Sequence, residues 1–166
     1  MKAFGARLEG QSYRLRPGAY GLAWQPRNGL LLLVETADGL EIPGGGIEAG
    51  ETPELALRRE FLEETGHSIT RSWPLFSLRQ FLNQPQVGKC YDKRCTFFLV
   101  DLDPQAGPPQ EAGHRPFWCA PADALGKMAE ECQEWLLRCL VEPESTQLHL
   151  TALATAFLEA PVREAG

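Results

Sequence analysis

The sequence predicts an α+β fold, a mixed α/β arrangement of one sheet layered with a few helices. Three observations lead there. Strand-like and helix-like segments are both present but do not alternate regularly, which argues against a doubly wound α/β sheet. The 166 residues are close to one average domain and long enough to bury a core without a disulfide or metal staple. Apolar residues make up 43% and charged residues 23%, the balance of an ordinary globular chain rather than a disordered or fibrous one. Gly and Pro cluster at 43–53, 84–88 and 104–116, all too short for linkers, and no internal repeat is found. One domain over residues 1–166 is therefore expected.

The elements follow in chain order. Ala19 to Gln25 reads as a strand, Pro26-Arg27-Asn28-Gly29 as a turn, and Leu30 to Glu35 as a buried strand paired with the first. Leu40 to Ile42 is a short strand ahead of a glycine loop. Pro53 to Thr65 is the clearest helix: Thr52 caps it, Pro53 suits its first turn, and Gly66 suits the position just past its end. Ile69 to Leu82 holds one strand, or two with a bulge. Thr96 to Leu102 (TFFLVDL) is a strong strand, and Arg115 to Cys119 a short one. Extra C-terminal helices are expected within 129–160: an amphipathic one over Ala129 to Val141, with Trp135 and Leu136 on its apolar side, and a last one over Gln147 to Leu158.

Charge and cysteines narrow the functional classes. Sixteen basic against 22 acidic residues give a net charge of −6, so a surface that coats a nucleic-acid polymer is not expected. The longest aliphatic run, Leu30 to Val34, is too short to span a bilayer, so no membrane partner is expected. No apolar stretch of signal type occurs near the start, the cysteine count of five is odd, and no CxxC occurs; a cytoplasmic location is the expectation. Cys90, Cys95, Cys119, Cys132 and Cys139 read as small hydrophobes, since the spacing of Cys90, Cys95 and Cys119 with His114 fits no familiar zinc pattern.

The chemistry concentrates between Gly44 and Gly66, GGGIEAGETPELALRREFLEETG. On a helix, Glu60, Glu63 and Glu64 are spaced i, i+3 and i+4, which puts three carboxylates on one face. Ala56 falls on that face and is too small to cover them, while Leu55 and Leu62 lie opposite and are expected to enter the core. Three adjacent carboxylates repel one another, raising their pKa values or costing stability. A divalent cation removes the conflict, and hard oxygen ligands suit Mg²⁺ or Mn²⁺. A solvated acidic face is the ordinary reading of a charge run. Here Gly44, Gly45 and Gly46 precede the helix and permit close backbone approach, Glu51 stands just before it, and Arg59 lies among the carboxylates.

These residues resemble the Nudix box, G-x5-E-x7-R-E-U-x-E-E-x-G-U, where U is a bulky apolar residue. Gly45, Glu51, Arg59, Glu60, Phe61, Glu63, Glu64 and Gly66 match it in register over 45–67; only the last U departs, being His67. By residue frequencies, a chance match at the seven Gly, Glu and Arg positions is on the order of one in a million. The resemblance implies a Nudix-type α/β/α sandwich with a mixed central sheet, and hydrolysis of a nucleoside diphosphate linked to another moiety. It implies that Glu60, Glu63 and Glu64 hold Mg²⁺ or Mn²⁺ with Gly44 bordering the metal, and that Gly45 and Gly46 border the substrate phosphates. Glu51 then lies near the metal, and Arg59 orients a glutamate of the box.

Outside the box the resemblance loosens. Many Nudix domains carry a carboxylate in a loop before a late strand containing Trp, in one branch roughly GHEAVW. This chain reads Gly113-His114-Arg115-Pro116-Phe117-Trp118, with Arg115 where the glutamate would stand. Glu111 and His114 are the candidates for the general base, and His114 and Arg115 for a phosphate contact. The start, Arg14-Leu15-Arg16-Pro17-Gly18-Ala19-Tyr20, resembles the first strand of the MutT-like branch and makes Arg16 a candidate phosphate contact. Tyr91 with Lys89, Lys93 and Arg94 forms a basic, aromatic patch that is a candidate substrate contact, while Tyr20 and Trp24 read as core residues. The expected substrate is a small nucleotide-like diphosphate, with a modified nucleoside triphosphate such as 8-oxo-dGTP as the default. A Nudix-fold nucleotide-binding or sensor module with little catalysis is the alternative. Nudix domains commonly form homodimers, which makes the C-terminal helices, with Trp135 and Phe157, candidates for an interface.

Overall fold

The structure is a computed structural model that describes residues 1–141. Its strands are β1 (Ala3–Phe4), β2 (Arg14–Gln25), β3 (Leu30–Thr36), β4 (Gly39–Glu41), β5 (Gly44–Gly46), β6 (His67–Gln84), β7 (Lys89–Ala106) and β8 (Arg115–Cys119); its helices are α1 (Pro53–Thr65), α2 (Pro121–Ala124) and α3 (Glu131–Val141). The sheet runs β1-β6-β7-β2-β3-β4, with β5 also paired to β2 and β8 to β3. The β2–β7 and β1–β6 pairs are parallel and the others antiparallel, so the sheet is mixed as expected. Among the described residues, no helix is long and apolar enough to cross a membrane.

The two faces of the sheet bury separate cores. On one, Ala23, Leu32, Phe98 and Val100 pack under Ala56, Leu57 and Phe61 of α1. On the other, Leu22, Leu31, Leu33 and Phe97 pack under Ala124 of α2 and Cys132, Leu136 and Leu137 of α3. Strand alternation explains the division, since neighbouring residues of β2 and β3 point to opposite faces. The result is the α/β/α sandwich that the resemblance implied. Cys90, Cys95, Cys132 and Cys139 are buried thiols and Cys119 is half-buried, as the hydrophobe reading requires.

Several boundaries moved. β2, β6 and β7 run longer than their apolar cores, because ladder hydrogen bonds carry them on through polar residues; β6 and β7 pair from Gln84 opposite Lys89 to His67 opposite Ala106. β6 is one strand with irregularities near Ile69 and Pro74, the second where proline has no N–H to give the ladder. The expected glycine loop is itself a strand, β5, and the short β1 and α2 carry no apolar pattern that would announce them. The segment expected as a helix over Gln147 to Leu158 lies outside the described residues.

Helix α1 forms over the expected span. Thr52 accepts the Leu55 N–H, Pro53 opens the first turn, and Gly66 ends it in the left-handed region at φ 71°. Its rotation about its own axis corrects the expectation for Leu55 and Leu62, which are 56% and 39% exposed. The buried arc instead holds Ala56, Leu57, Phe61, Glu64 and Thr65. Phe61 sets this rotation by filling the space over Gly21 of β2, where a Cβ would lie 2.4 Å from its ring. The carboxylate face therefore borders the core instead of opposing it.

Candidate active site

That rotation grades the three carboxylates. Glu64 is turned inward, with a side chain 10% exposed; Glu60 follows at 13%, and Glu63 lies outermost at 37%. Glu64 Oε2 accepts the Gly44 N–H at 2.9 Å. Glu60 lies over Gly45, where a Cβ would come within 2.5 Å of the carboxyl carbon. Only glycine at 45 lets the strand pass this close beneath the helix.

Arg59 holds the outer part together. Its guanidinium grips Glu51 with two hydrogen bonds, at 2.8 and 2.9 Å, and reaches Glu60 at 2.8 Å, Glu63 at 3.3 Å and the Gly46 carbonyl at 3.0 Å. This is the bidentate geometry in which arginine and carboxylate match best. The hydrogen bonds from Arg59 hold the Glu51 carboxyl down at about 2. Burial pushes Glu60 up, against the pull of Arg59. Burial also raises Glu64, to about 8; Glu60, Glu41 and Glu111 add to the rise, and the Gly44 N–H opposes it.

The loop after β7 completes the site. Gly107 N–H donates to the Gly66 carbonyl, and the amides of Gln110 and Glu111 both donate to the Glu63 carbonyl, at 2.7 and 2.9 Å. The loop is thus pinned across the end of α1. Glu111 comes within 4.8 Å of Glu60 and Glu63, ligand atom to ligand atom, and forms a second such group with Glu64 and His114. Between Glu60, Glu63, Gln110 and Glu111 lies an open cavity of about 440 Å³. His114 Nε2 stands 3.5 Å from Glu64 Oε1 and Nδ1 stands 3.8 Å from Glu111 Oε1.

A family model described as NUDIX domain matches residues 14–139. The chain belongs to that family. An RNA pyrophosphohydrolase of Shewanella sediminis is 35% identical to it over 71 residues, 37% of this chain and 41% of that protein. An 8-oxo-dGTP diphosphatase of Haemophilus influenzae is 63% identical over 30 residues, 18% of this chain and 22% of that protein. The chain thus spans under half the length of these curated relatives. Among solved structures, a MutT NUDIX hydrolase from Burkholderia pseudomallei superposes with a TM-score of 0.60 at 20% identity, over 75% of this chain and 97% of that one. A MutT protein from Bacillus halodurans gives 0.57 at 16% identity, over 76% and 82%. At such identities these structures speak for the fold.

The NUDIX chain brings together Glu51, Arg59, Glu60, Glu63, Glu64, Glu111, His114 and the Gly44–Gly46 strand. Arg16 lies nearby on β2: a Cβ at Gly46 would stand 3.8 Å from its Nε, and its guanidinium sits 5.4 Å from the Tyr91 ring. Two expectations need correction. Arg115 is 77% exposed and ion-paired with Glu35, its partner across the β3–β8 pair, so the structure turns it to the sheet edge and not to the carboxylates. Lys93 does not share an exposed patch with Tyr91: it points to the same face two residues further along β7, but there it is buried against Glu130. The sequence reading also missed Glu41 of β4, whose pKa is raised by burial and then by Glu130, and lowered in part by Lys93, by a hydrogen bond from Thr36 and, least, by His114. No local motif marks Glu41; only the pairing of β4 with β3 brings it near.

Proposed function

We propose that this NUDIX protein is a divalent-metal-dependent pyrophosphohydrolase of a nucleotide-like diphosphate. The observation that carries the reading is the graded carboxylate face of α1 joined by Glu111 on the pinned loop. The donor set is hard and anionic, and its inward member, Glu64, is raised by burial and by other carboxylates, with His114 beside it. Such a set fits Mg²⁺ or Mn²⁺, with Glu60, Glu63 and Glu64 as the ligands and Gly44 at the border.

Bound there, a divalent ion supplies neutralisation of phosphate charge and a lower pKa for the attacking water. The chain's own residues do the rest. Arg59 fixes Glu51, Glu60 and Glu63 in one arrangement. In this reading Glu111 takes the proton of the attacking water, replacing the loop glutamate at whose position Arg115 stands; its nearness to Glu60 and Glu63 supports that role. Gly45 and Gly46 border the phosphates, and Arg16 with Tyr91 offers a charge and a ring at the same end of β2. A homodimer and a cytoplasmic location belong to the same proposal. Trp135 has a neighbour within the fold, the Phe4 ring at 5.7 Å, which accounts for it without an interface.

The default substrate is a modified nucleoside triphosphate such as 8-oxo-dGTP, supported by the diphosphatase relative. The relatives named RNA pyrophosphohydrolase make RNA a second candidate substrate. The test is release of phosphate or pyrophosphate across nucleoside triphosphates, 8-oxo-dGTP, nucleotide sugars and 5′-triphosphate RNA, first with Mg²⁺ and then with Mn²⁺. Metal-dependent cleavage of one class at a dominant rate is the expected result. Tight nucleotide binding without turnover would replace this reading with the sensor alternative.

A further inference from the structure

We infer that His114 is a ligand of the divalent ion, giving the site one imidazole nitrogen and a preference for Mn²⁺ over Mg²⁺. The inference rests on the metal-site reading above and assigns a donor that the box does not contain. The backbone is fixed on either side of His114: Gly113, at φ 87°, turns the chain after the loop pinned to Glu63, and Arg115 starts strand β8 behind it. Its Nε2 faces Glu64 Oε1 at 3.5 Å, slightly wider than the roughly 3 Å between adjacent donors around an ion with bonds near 2.1 Å. In the metal-free protein a proton can bridge this pair, and a divalent ion entering between them would replace that proton and meet the Nε2 lone pair and the Glu64 oxygen together.

The other ring nitrogen agrees. Nδ1 is buried and has no hydrogen-bond partner. With Nε2 on a metal, the neutral imidazole carries its proton on Nδ1, and Glu111 Oε1 stands 3.8 Å away as its acceptor. Glu111 is 46% exposed at its side chain and free to close that gap. A carboxylate behind a ligating histidine is the common way of fixing tautomer and ring orientation. Imidazole suits a borderline transition ion better than Mg²⁺, which demands hard oxygen donors.

The test is Mn²⁺ loading of the full chain, followed by electron spin echo envelope modulation and by calorimetric titration with Mn²⁺ and Mg²⁺ separately. The expected result is ¹⁴N modulation in the wild-type protein that is absent from both His114→Ala and His114→Gln. With it comes a loss of Mn²⁺ affinity of about tenfold in both variants, against a loss of Mg²⁺ affinity of less than about twofold. Bound Mn²⁺ with no ¹⁴N modulation in the wild type would overturn this inference and leave the carboxylate site standing. Equal losses for both ions would also overturn it. If the wild type binds no Mn²⁺, both the inference and the metal-site reading fail.

Discussion

The sheet carries a buried glutamate on each face, and the two are handled in opposite ways. Under α3, Glu130 is ion-paired with Lys93, each side chain 9% exposed, and the Lys93 ammonium lies 5.3 Å from the centre of the Tyr20 ring. Under α1, Glu64 is equally buried, but its charged neighbours are Glu60, Glu41 and Glu111, and what touches it is the Gly44 amide and the His114 imidazole. Arg59, the cation beside the cluster, is engaged by Glu51, Glu60 and Glu63. Burial therefore does not distinguish a structural glutamate from a functional one. The sign of the surrounding charge does: the pair under α3 is closed within the protein, whereas the cluster under α1 is completed by something brought from outside.

The widest separation of the two faces should come from Glu63→Gln. Removing a carboxylate from the open cluster should lower kcat by about a hundredfold or more, while the melting temperature moves by no more than about 2 °C. Paired kinetics and calorimetry on one preparation check both halves. The mirror experiment is Lys93→Met, which leaves Glu130 buried without its counter-charge. It should cost about 3–5 kcal/mol in urea unfolding, and adding Glu130→Gln should return most of that loss. Neither change should alter the metal dependence of the reaction.

A smaller effect is expected from pH on the metal-free protein. Glu64 has its folded pKa raised to about 8, against about 4.3 for an unperturbed glutamate. The stability linked to its proton is fully present below the lower value and is lost as pH rises through the higher one. Wild type should therefore lose a few kcal/mol at most between pH 5 and 8.5 relative to Glu64→Gln. Glu51, held at about 2, contributes no slope in that window, because its stabilisation is lost only as pH falls through its own pKa. Saturating Mn²⁺ should flatten the wild-type curve. The smallest effect belongs to Arg115→Ala: this exposed pair with Glu35 should contribute under about 1 kcal/mol, with kcat/KM changed less than about twofold.

Much of this was legible in the sequence for a local reason. Helix α1 is fixed by its own ends, Thr52, Pro53 and Gly66, and the carboxylates are fixed by spacing along it. The rotation of that helix was not legible, because it depends on Phe61 meeting Gly21 of β2, two residues forty positions apart. The wheel put all three glutamates together but could not rank Glu64 as the inward one, and it assigned Leu55 and Leu62 to the wrong side. Arg115 and Lys93 show the same limit in strands: alternation says that neighbours diverge, but only the β3–β8 pairing brings Arg115 to Glu35 and only the packing of the segment before α3 brings Glu130 to Lys93. Glu111 was legible as a candidate but not as a member of both carboxylate groups. Its place comes from two amides sharing the Glu63 carbonyl, which is a tertiary contact.

The most direct test of the contrast between the faces is a calorimetric Mn²⁺ titration near neutral pH, run in two buffers of different ionisation enthalpy. Wild type and the Glu60→Gln/Glu63→Gln double variant would be compared. An open cluster that holds a proton at Glu64 predicts saturable binding with proton release in the wild type. It predicts the loss of both in the double variant, with Lys93→Met/Glu130→Gln binding like wild type. Absence of binding in the wild type, or undiminished binding in the double variant, would contradict the claim that the α1 face is built for a cation.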